Sequence, residues 1–167
     1  MSDHFVPRMA PTMTSTTRIA ALAALTTMWA LSAQAHEGAA HGGTGTDGVP
    51  GNPSDVSRTV RVEARDTAFN VRQIQVHPGE TIKFVVTNKG QLRHEFSIAS
   101  HEEHQEHRAM MQQMPDMVHN DPNVITINPG QTKELVWKFG KDTNVEFACD
   151  LPGHAEQGMA GAFRTMK

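Results

Sequence analysis

The segment Val145–Met159 reads VEFACDLPGHAEQGM and combines a strand pattern with a cluster of donor atoms. Its first five residues place apolar side chains at every second position, which is the period of a half-buried β-strand. The Pro-Gly turn that follows can fold His154 back toward Cys149. With Met159 at the end, one short loop after a strand carries a thiol, an imidazole and a thioether.

These donors indicate a copper site. Cys149 is the only cysteine of the chain, and His94 supplies a second imidazole from far upstream. One Cys and two His with a weak axial Met suit copper in both oxidation states, because soft sulfur holds Cu(I) and imidazole holds Cu(II). The spacing is unlike that of a hydrolytic zinc centre. We therefore expect one copper site, with the ligands His94, Cys149, His154 and Met159.

The first 35 residues have the organisation of a secretory signal peptide. Arg8 and Arg18 precede an apolar stretch, Ile19–Leu31, and Ala33-Gln34-Ala35 fits a cleavage site. The mature chain should then begin at His36, in the periplasm if the source is Gram-negative, with no membrane anchor after cleavage. A lone cysteine in an oxidising compartment is normally paired or reactive. Coordination to a metal would shield it.

Composition limits the remaining possibilities. The 167 residues include 15 Lys+Arg and 18 Asp+Glu, a formal net charge of −3, so no basic excess favours nucleic acid. Residues 36–57 are rich in Gly, Ala, Pro and Thr and are predicted to form a flexible arm. Residues 58–167 are predicted to form a single domain, with an insertion at 100–122.

Short runs with a period of two fill this domain. They are separated by turn signals such as Asn128-Pro129-Gly130, which favours about eight strands in an antiparallel sandwich or barrel. The runs are Val60 to Val62, Ile74 to Val76, Ile82 to Val86, Phe96 to Ile98, Val124 to Ile127, Leu135 to Phe139, Val145 to Cys149 and Met159 to Phe163.

From about Val60 to Met166, the chain resembles the cupredoxins, the plastocyanin and azurin family. The stretches that carry the resemblance are Phe69 with Pro78-Gly79-Glu80-Thr81-Ile82-Lys83-Phe84, His94-Glu95-Phe96, Pro129-Gly130-Gln131-Thr132 and Cys149 to Met159. The resemblance implies an all-β fold, a Greek-key β-sandwich. It also implies a type 1 copper held by His94 from a strand end and by Cys149, His154 and Met159 from the loop between the last two strands.

Glu95 departs from the family pattern. Many relatives have Asn directly after the first ligand His, where the amide ties the two ligand loops together. An acidic side chain there could alter the hydrogen bonding that tunes sulfur donation, the colour of the site and its potential.

The insertion carries a second candidate site on a short helix. Ser100 and Glu103 form a capping-box pattern, and Pro115 should end the helix. One face and the following loop are rich in His and Met, so they could bind additional copper: His101, His104, His107, Met110, Met111, Met114, Met117 and His119. The alternative is that the Met residues pack against the sandwich while the His residues are solvated.

A third candidate site lies at the mature N-terminus. The α-amino group and imidazole of His36 could chelate Cu(II), with His41 nearby on the Gly-rich arm. The alternative is a disordered tail in which both His residues are incidental.

Three classes of function fit a cupredoxin. The His/Met helix and the His-led arm favour a periplasmic copper-tolerance protein that sequesters, transfers or redox-buffers copper, and the chain is similar to that branch of the family. The alternative is a diffusible one-electron carrier of a respiratory or photosynthetic chain. An enzyme is the weakest reading, since a type 1 centre has no obvious open position for substrate. Expected partners are copper ions and a redox or copper-transfer protein.

Overall fold

The computed structural model describes residues 48–118, 120–141 and 144–166, which all belong to one compact unit, Glu37–Lys167. The predicted signal peptide and residues 36–47 of the predicted arm lie outside this range. The described residues form one α-helix, α1 (His101–Gln113), and the strands β1 (Gly48–Pro50), β2 (Arg58–Arg65), β3 (Ala68–Phe69), β4 (Gln73–Val76), β5 (Thr81–Asn88), β6 (His94–Ser100), β7 (Val124–Ile127), β8 (Thr132–Phe139), β9 (Val145–Ala148) and β10 (Ala160–Thr165).

Two five-stranded sheets build the molecule, and the predicted β-sandwich is confirmed. One sheet has the order β1-β8-β5-β2-β3 and the other β4-β10-β9-β6-β7. Most strand pairs are antiparallel, as expected, but β2 pairs with β5 and β4 with β10 in parallel. The chain crosses between the sheets at β4, so neighbours within a sheet are often not successive strands. Hairpin connections alone would have made every pair antiparallel.

Phenylalanine rings fill the space between the sheets. Phe84 lies with its ring centroid 5.4 Å from that of Phe96 and 5.8 Å from that of Phe163. Phe147 stacks on Phe96 at 5.6 Å. These side chains come from the alternating positions of their strands, and each is almost fully buried. The core therefore fixes the ends of β6 and β9, where the candidate ligands begin.

The last part of the predicted flexible arm, residues 48–57, is ordered in the structure. Gly48–Pro50 forms β1, which pairs antiparallel with β8, and a short 3-10 helix follows at Pro53–Asp55. The backbone nitrogen of Gly51 donates to the carbonyl of Val136 at 2.9 Å. Composition suggested disorder because this stretch has few large apolar side chains. Its order comes instead from backbone hydrogen bonds to a sheet edge.

Helix α1 begins and ends as the sequence predicts. The side chain of Ser100 accepts from the backbone nitrogen of Glu103, and the carboxylate of Glu103 accepts from the backbone nitrogen of Ser100 at 2.8 Å. The helix ends two residues before Pro115. At 13 residues, α1 is the helix that joins β6 to β7. Within the described residues, no helix is long and apolar enough to cross a membrane.

Candidate metal centre

Three of the predicted ligands meet at one end of the sandwich. Sγ of Cys149 lies 3.2 Å from Nδ1 of His154, and that nitrogen lies 3.3 Å from Nδ1 of His94. One donor atom from each residue lies within 4.8 Å of the others, and within the described part of the chain this is the compact group of His, Cys and acidic residues that could hold a metal. Residues 60 positions apart are thus brought together within one sheet, in which β6 and β9 are neighbouring antiparallel strands.

The loop from Cys149 to Met159 is closed by its own backbone. The nitrogen of Cys149 donates to the carbonyl of Met159, and the nitrogen of Met159 donates to the carbonyl of His154, both at 3.0 Å. Gly153 has a φ of +82°, a conformation that side chains with a Cβ rarely adopt, so the turn before His154 requires glycine. Met159 is fully buried at the end of this loop.

Burial sets the proton state of the donors. It lowers the pKa of His94 below its ordinary value of 6.5, and the neighbouring His154 lowers it further, against the opposing effect of Asp66. Burial also lowers the pKa of His154. Burial raises the pKa of the Cys149 thiol to about 12. These pKa shifts favour the neutral imidazole at both histidines and the thiol form of Cys149.

A small loop holds His94 from the other side. Oδ1 of Asp66 lies 3.5 Å from Nε2 of His94 and accepts from the backbone nitrogens of Gln91 at 2.7 Å and Leu92 at 3.0 Å. A Cβ on Gly90 would lie 2.1 Å from this oxygen, so glycine is needed for the close approach. Asp66 thus lies beside Nε2 of His94, whereas Nδ1 of the same ring lies toward His154, and Asp66 shapes the loop that leads into β6.

Two buried carboxylates adjoin the candidate ligands along the chain. Glu95 follows His94, Asp150 follows Cys149, and both side chains are at most 1% exposed. The backbone nitrogen of Glu95 donates to Sγ of Cys149 at 3.3 Å. The sequence analysis singled out Glu95 because it replaces the usual Asn. It did not identify the partner of Glu95 on the helix, and it did not identify Asp150 as a second buried carboxylate.

Helix α1 provides the partners of both carboxylates. Nδ1 of His104 lies 2.7 Å from Oδ2 of Asp150, and Arg108 donates to Oδ1 of Asp150 at 3.1 Å. Nε2 of His107 lies 3.5 Å from Oε2 of Glu95. The shared helix face of His104, His107 and Arg108 could have been recognised from their spacing of three and four residues, but Asp150 and Glu95 lie far away in sequence.

The predicted His/Met face divides into buried and exposed members. His104 and Met111 are almost fully buried, which corrects the expectation that all the helix His residues are solvated. His104 is tolerated inside because Asp150, Ser97 and the carbonyl of Glu146 surround its nitrogens. His101 is exposed and lies 3.3 Å from Glu146.

The remaining members of the face are more accessible. His107 and Met110 are partly buried, whereas Met114 and Met117 are 46% and 40% exposed. His119 lies outside the described residues, as do His36 and His41 of the predicted N-terminal site. The additional copper sites stay predictions.

Known proteins were compared with the chain. The model of the copper-binding plastocyanin/azurin family matches residues 56–165. The chain belongs to this family. The copper-resistant cuproprotein CopI of Rubrivivax gelatinosus is 43% identical over 129 residues, covering 76% of this chain and 78% of that protein. CopI of Vibrio cholerae serotype O1 is 42% identical over 115 residues, covering 67% of this chain and 68% of that protein.

A solved member of the family supports the fold. The dithionite-reduced auracyanin of Roseiflexus castenholzii aligns with a TM-score of 0.56 at 17% identity, covering 67% of this chain and 99% of that structure. At this identity the likeness concerns the cupredoxin fold. The family membership and the convergence of His94, Cys149 and His154 agree with copper as the cofactor.

Proposed function

We propose that this cupredoxin is a periplasmic copper-tolerance protein that sequesters, transfers or redox-buffers copper at a type 1 site. The observation that carries the proposal is the meeting of Cys149 with two imidazoles at a buried end of the sandwich. Relatives that are 43% and 42% identical to this chain over the aligned residues are named copper-resistant cuproproteins. This favours copper tolerance over the alternative, a diffusible one-electron carrier.

The donor set fits copper. His94, Cys149 and His154 would hold the ion, with the thioether of Met159 as a further donor, and bound copper would supply a one-electron couple. The chain's contribution is to hold its donors in fixed positions: β6 carries His94, and the closed loop carries the others. Such fixed positions restrict rearrangement when the charge on the ion changes. The ring of His154 is the partly exposed ligand, so contact with a partner would occur there.

Copper content and the electronic spectrum of the mature protein test the site directly. We expect one tightly bound copper and an intense visible absorption from the thiolate-to-copper transition. Cys149→Ala should abolish this absorption, and strong colour retained in that variant would contradict the assignment. Met159→Leu should keep the copper but change the spectrum and potential, because an axial thioether is weakly bound. The fold should survive, since Met to Leu conserves volume and costs less than about 1.5 kcal/mol.

Deletion of the gene distinguishes the two functions. Copper tolerance predicts growth that fails at high copper and is restored by the native gene but not by Cys149→Ala. Electron carriage predicts a defect tied to a respiratory or photosynthetic substrate at low copper. Fractionation tests location, and a mature N-terminus at His36 would support export by a cleaved signal peptide.

A further inference from the structure

Helix α1 lies against the two chain segments that carry candidate copper ligands. In one segment Glu95 follows His94, and in the other Asp150 follows Cys149. Burying a carboxylate is costly unless charged or hydrogen-bonding groups surround it. Both carboxylates are buried, so whatever pairs with them is part of the structure that holds the ligands.

The pairing groups of Asp150 come mostly from the helix. His104 and Arg108 each lie within 3.1 Å of one of its oxygens, and Ser97 of β6 donates to it at 2.9 Å. Burial raises the pKa of Asp150, but His104, Ser97 and His107 together lower it below its ordinary value. The carboxylate of Asp150 is therefore surrounded by the side chains of His104, Arg108 and Ser97.

Glu95 is paired more simply. His107, which is 15% exposed, lies 3.5 Å from its carboxylate. Burial lowers the pKa of His107, but Glu95, Asp150 and Asp121 outweigh burial and raise it. The backbone nitrogen of Glu95 donates to the sulfur of Cys149, so a shift of Glu95 would move a hydrogen bond to the thiol itself.

We propose that helix α1 is a strap between the two ligand segments, in which Glu95 and Asp150 are positioning residues held by His107, His104 and Arg108. The strap rests on the proposed copper site at His94 and Cys149. A helix that merely covered the sandwich would need no imidazole or guanidinium group within 3.5 Å of the carboxylate that follows each ligand.

The strap is tested with a double-mutant cycle on one limb. We compare Glu95→Gln, His107→Gln and the double variant, and we measure the reduction potential and visible spectrum of the copper-loaded proteins. Each single variant should shift the potential, and the double variant should match Glu95→Gln, because the imidazole then has no carboxylate to hold. Contacting residues of one network are non-additive in this way. Additive shifts would overturn the proposal.

His77→Gln is the matched control for a His-to-Gln change. His77 is exposed in the turn before β5 and belongs to none of the candidate copper sites. We expect the potential and spectrum of this variant to equal those of the native protein. A His107→Gln variant that behaved like His77→Gln would also overturn the strap.

Hydrogen exchange of the copper-free protein gives a readout that does not depend on copper. His107→Gln should accelerate exchange of the Glu95 amide, which faces Cys149, by about 10-fold or more, and His104→Gln should do the same for the His154 and Met159 amides. Unchanged exchange at these amides would overturn the strap. If the native protein bound no copper, the proposed function would fail, but the hydrogen-exchange measurement would still test the strap. If His104→Gln did not fold, the exchange rates of His107→Gln alone would test it.

Discussion

Sγ of Cys149 and Nδ1 of His154 lie 3.2 Å apart across a glycine turn, in a site where burial raises the thiol pKa to about 12. At pH 7 the thiol is therefore protonated in the copper-free protein, whereas both imidazoles are neutral. A thiolate is the form that binds copper, so uptake of the metal must displace this proton.

We predict that binding of Cu(II) at pH 7 releases about one proton per site. Calorimetry in buffers of different ionisation enthalpy measures this number. The apparent affinity should also rise with pH across the neutral range, because a lower proton concentration favours the thiolate. The variant Cys149→Ala supplies the control, and release of no proton by the native protein would contradict the assignment of the thiol as a ligand.

The carboxylate of Asp66 should support His94 without binding the metal. Asp66→Asn keeps an oxygen that can accept from the nitrogens of Gln91 and Leu92 but removes the charge beside the imidazole. Changes at such supporting groups commonly cost about 10–100-fold in metal affinity. We therefore expect weaker Cu(II) binding of that order in a competition titration with a chelator.

The control for Asp66→Asn is Glu63→Gln, which removes an equal charge from the same region of the chain. Glu63 is partly exposed, like Asp66, and pairs with Arg65 rather than with a candidate ligand. Its copper affinity should stay at the native value. Equal affinities in the two variants would show that the charge of Asp66 has no special effect on His94.

The sequence predicts the structure correctly where a pattern involves residues that lie close together along the chain. Period-two runs located the main strands, and the Ser100 capping box placed the start of α1, because each pattern involves residues a few positions apart. The pairs His104–Asp150 and His107–Glu95 could not be found in this way, since the partners are separated by 46 and 12 positions. They meet only because helix α1 packs against the sheet that contains β6 and β9. Strand β1 was missed because its order depends on β8.

A salt bridge remote from the metal centre should make stability depend on pH. Burial raises the pKa of Glu80, but hydrogen bonds from Arg58 and the backbone nitrogen of His77 together lower it below its ordinary value of 4.5. The resulting stabilisation is fully present above pH 4.5 and is lost as the pH falls through the lower folded value. We expect Glu80→Gln to lower the free energy of unfolding by about 1 kcal/mol at pH 7.

Denaturant unfolding at pH 7 and at acidic pH measures this difference. The gap between Glu80→Gln and the native protein should narrow as the pH falls below 4.5. Glu134→Gln is the matched control, because its pair with Lys83 is longer, at 3.4 Å, and lies at the surface, where such pairs contribute little. A constant gap across the pH range would show that Glu80 is not stabilised as a carboxylate.

Two methionines from the predicted His/Met face should respond differently to truncation. Met111 is fully buried in the core, and Met114 is 46% exposed just after the helix. Replacing a buried Met by Ala costs about 2–5 kcal/mol, whereas an exposed substitution changes stability by less than about 0.5 kcal/mol. Met111→Ala should therefore strongly lower the midpoint of denaturant unfolding, and Met114→Ala should leave it nearly unchanged.

Copper titration of the same variants separates packing from metal binding. If the exposed members of the face bind additional copper, Met114→Ala should weaken or remove uptake beyond the first equivalent while leaving stability intact. Met111→Ala should not change that uptake at temperatures where it is folded, because its thioether is enclosed by the core. Equal copper stoichiometry in the native protein and in a variant with His101, Met114 and Met117 all changed to Ala would eliminate these residues as ligands of a second site.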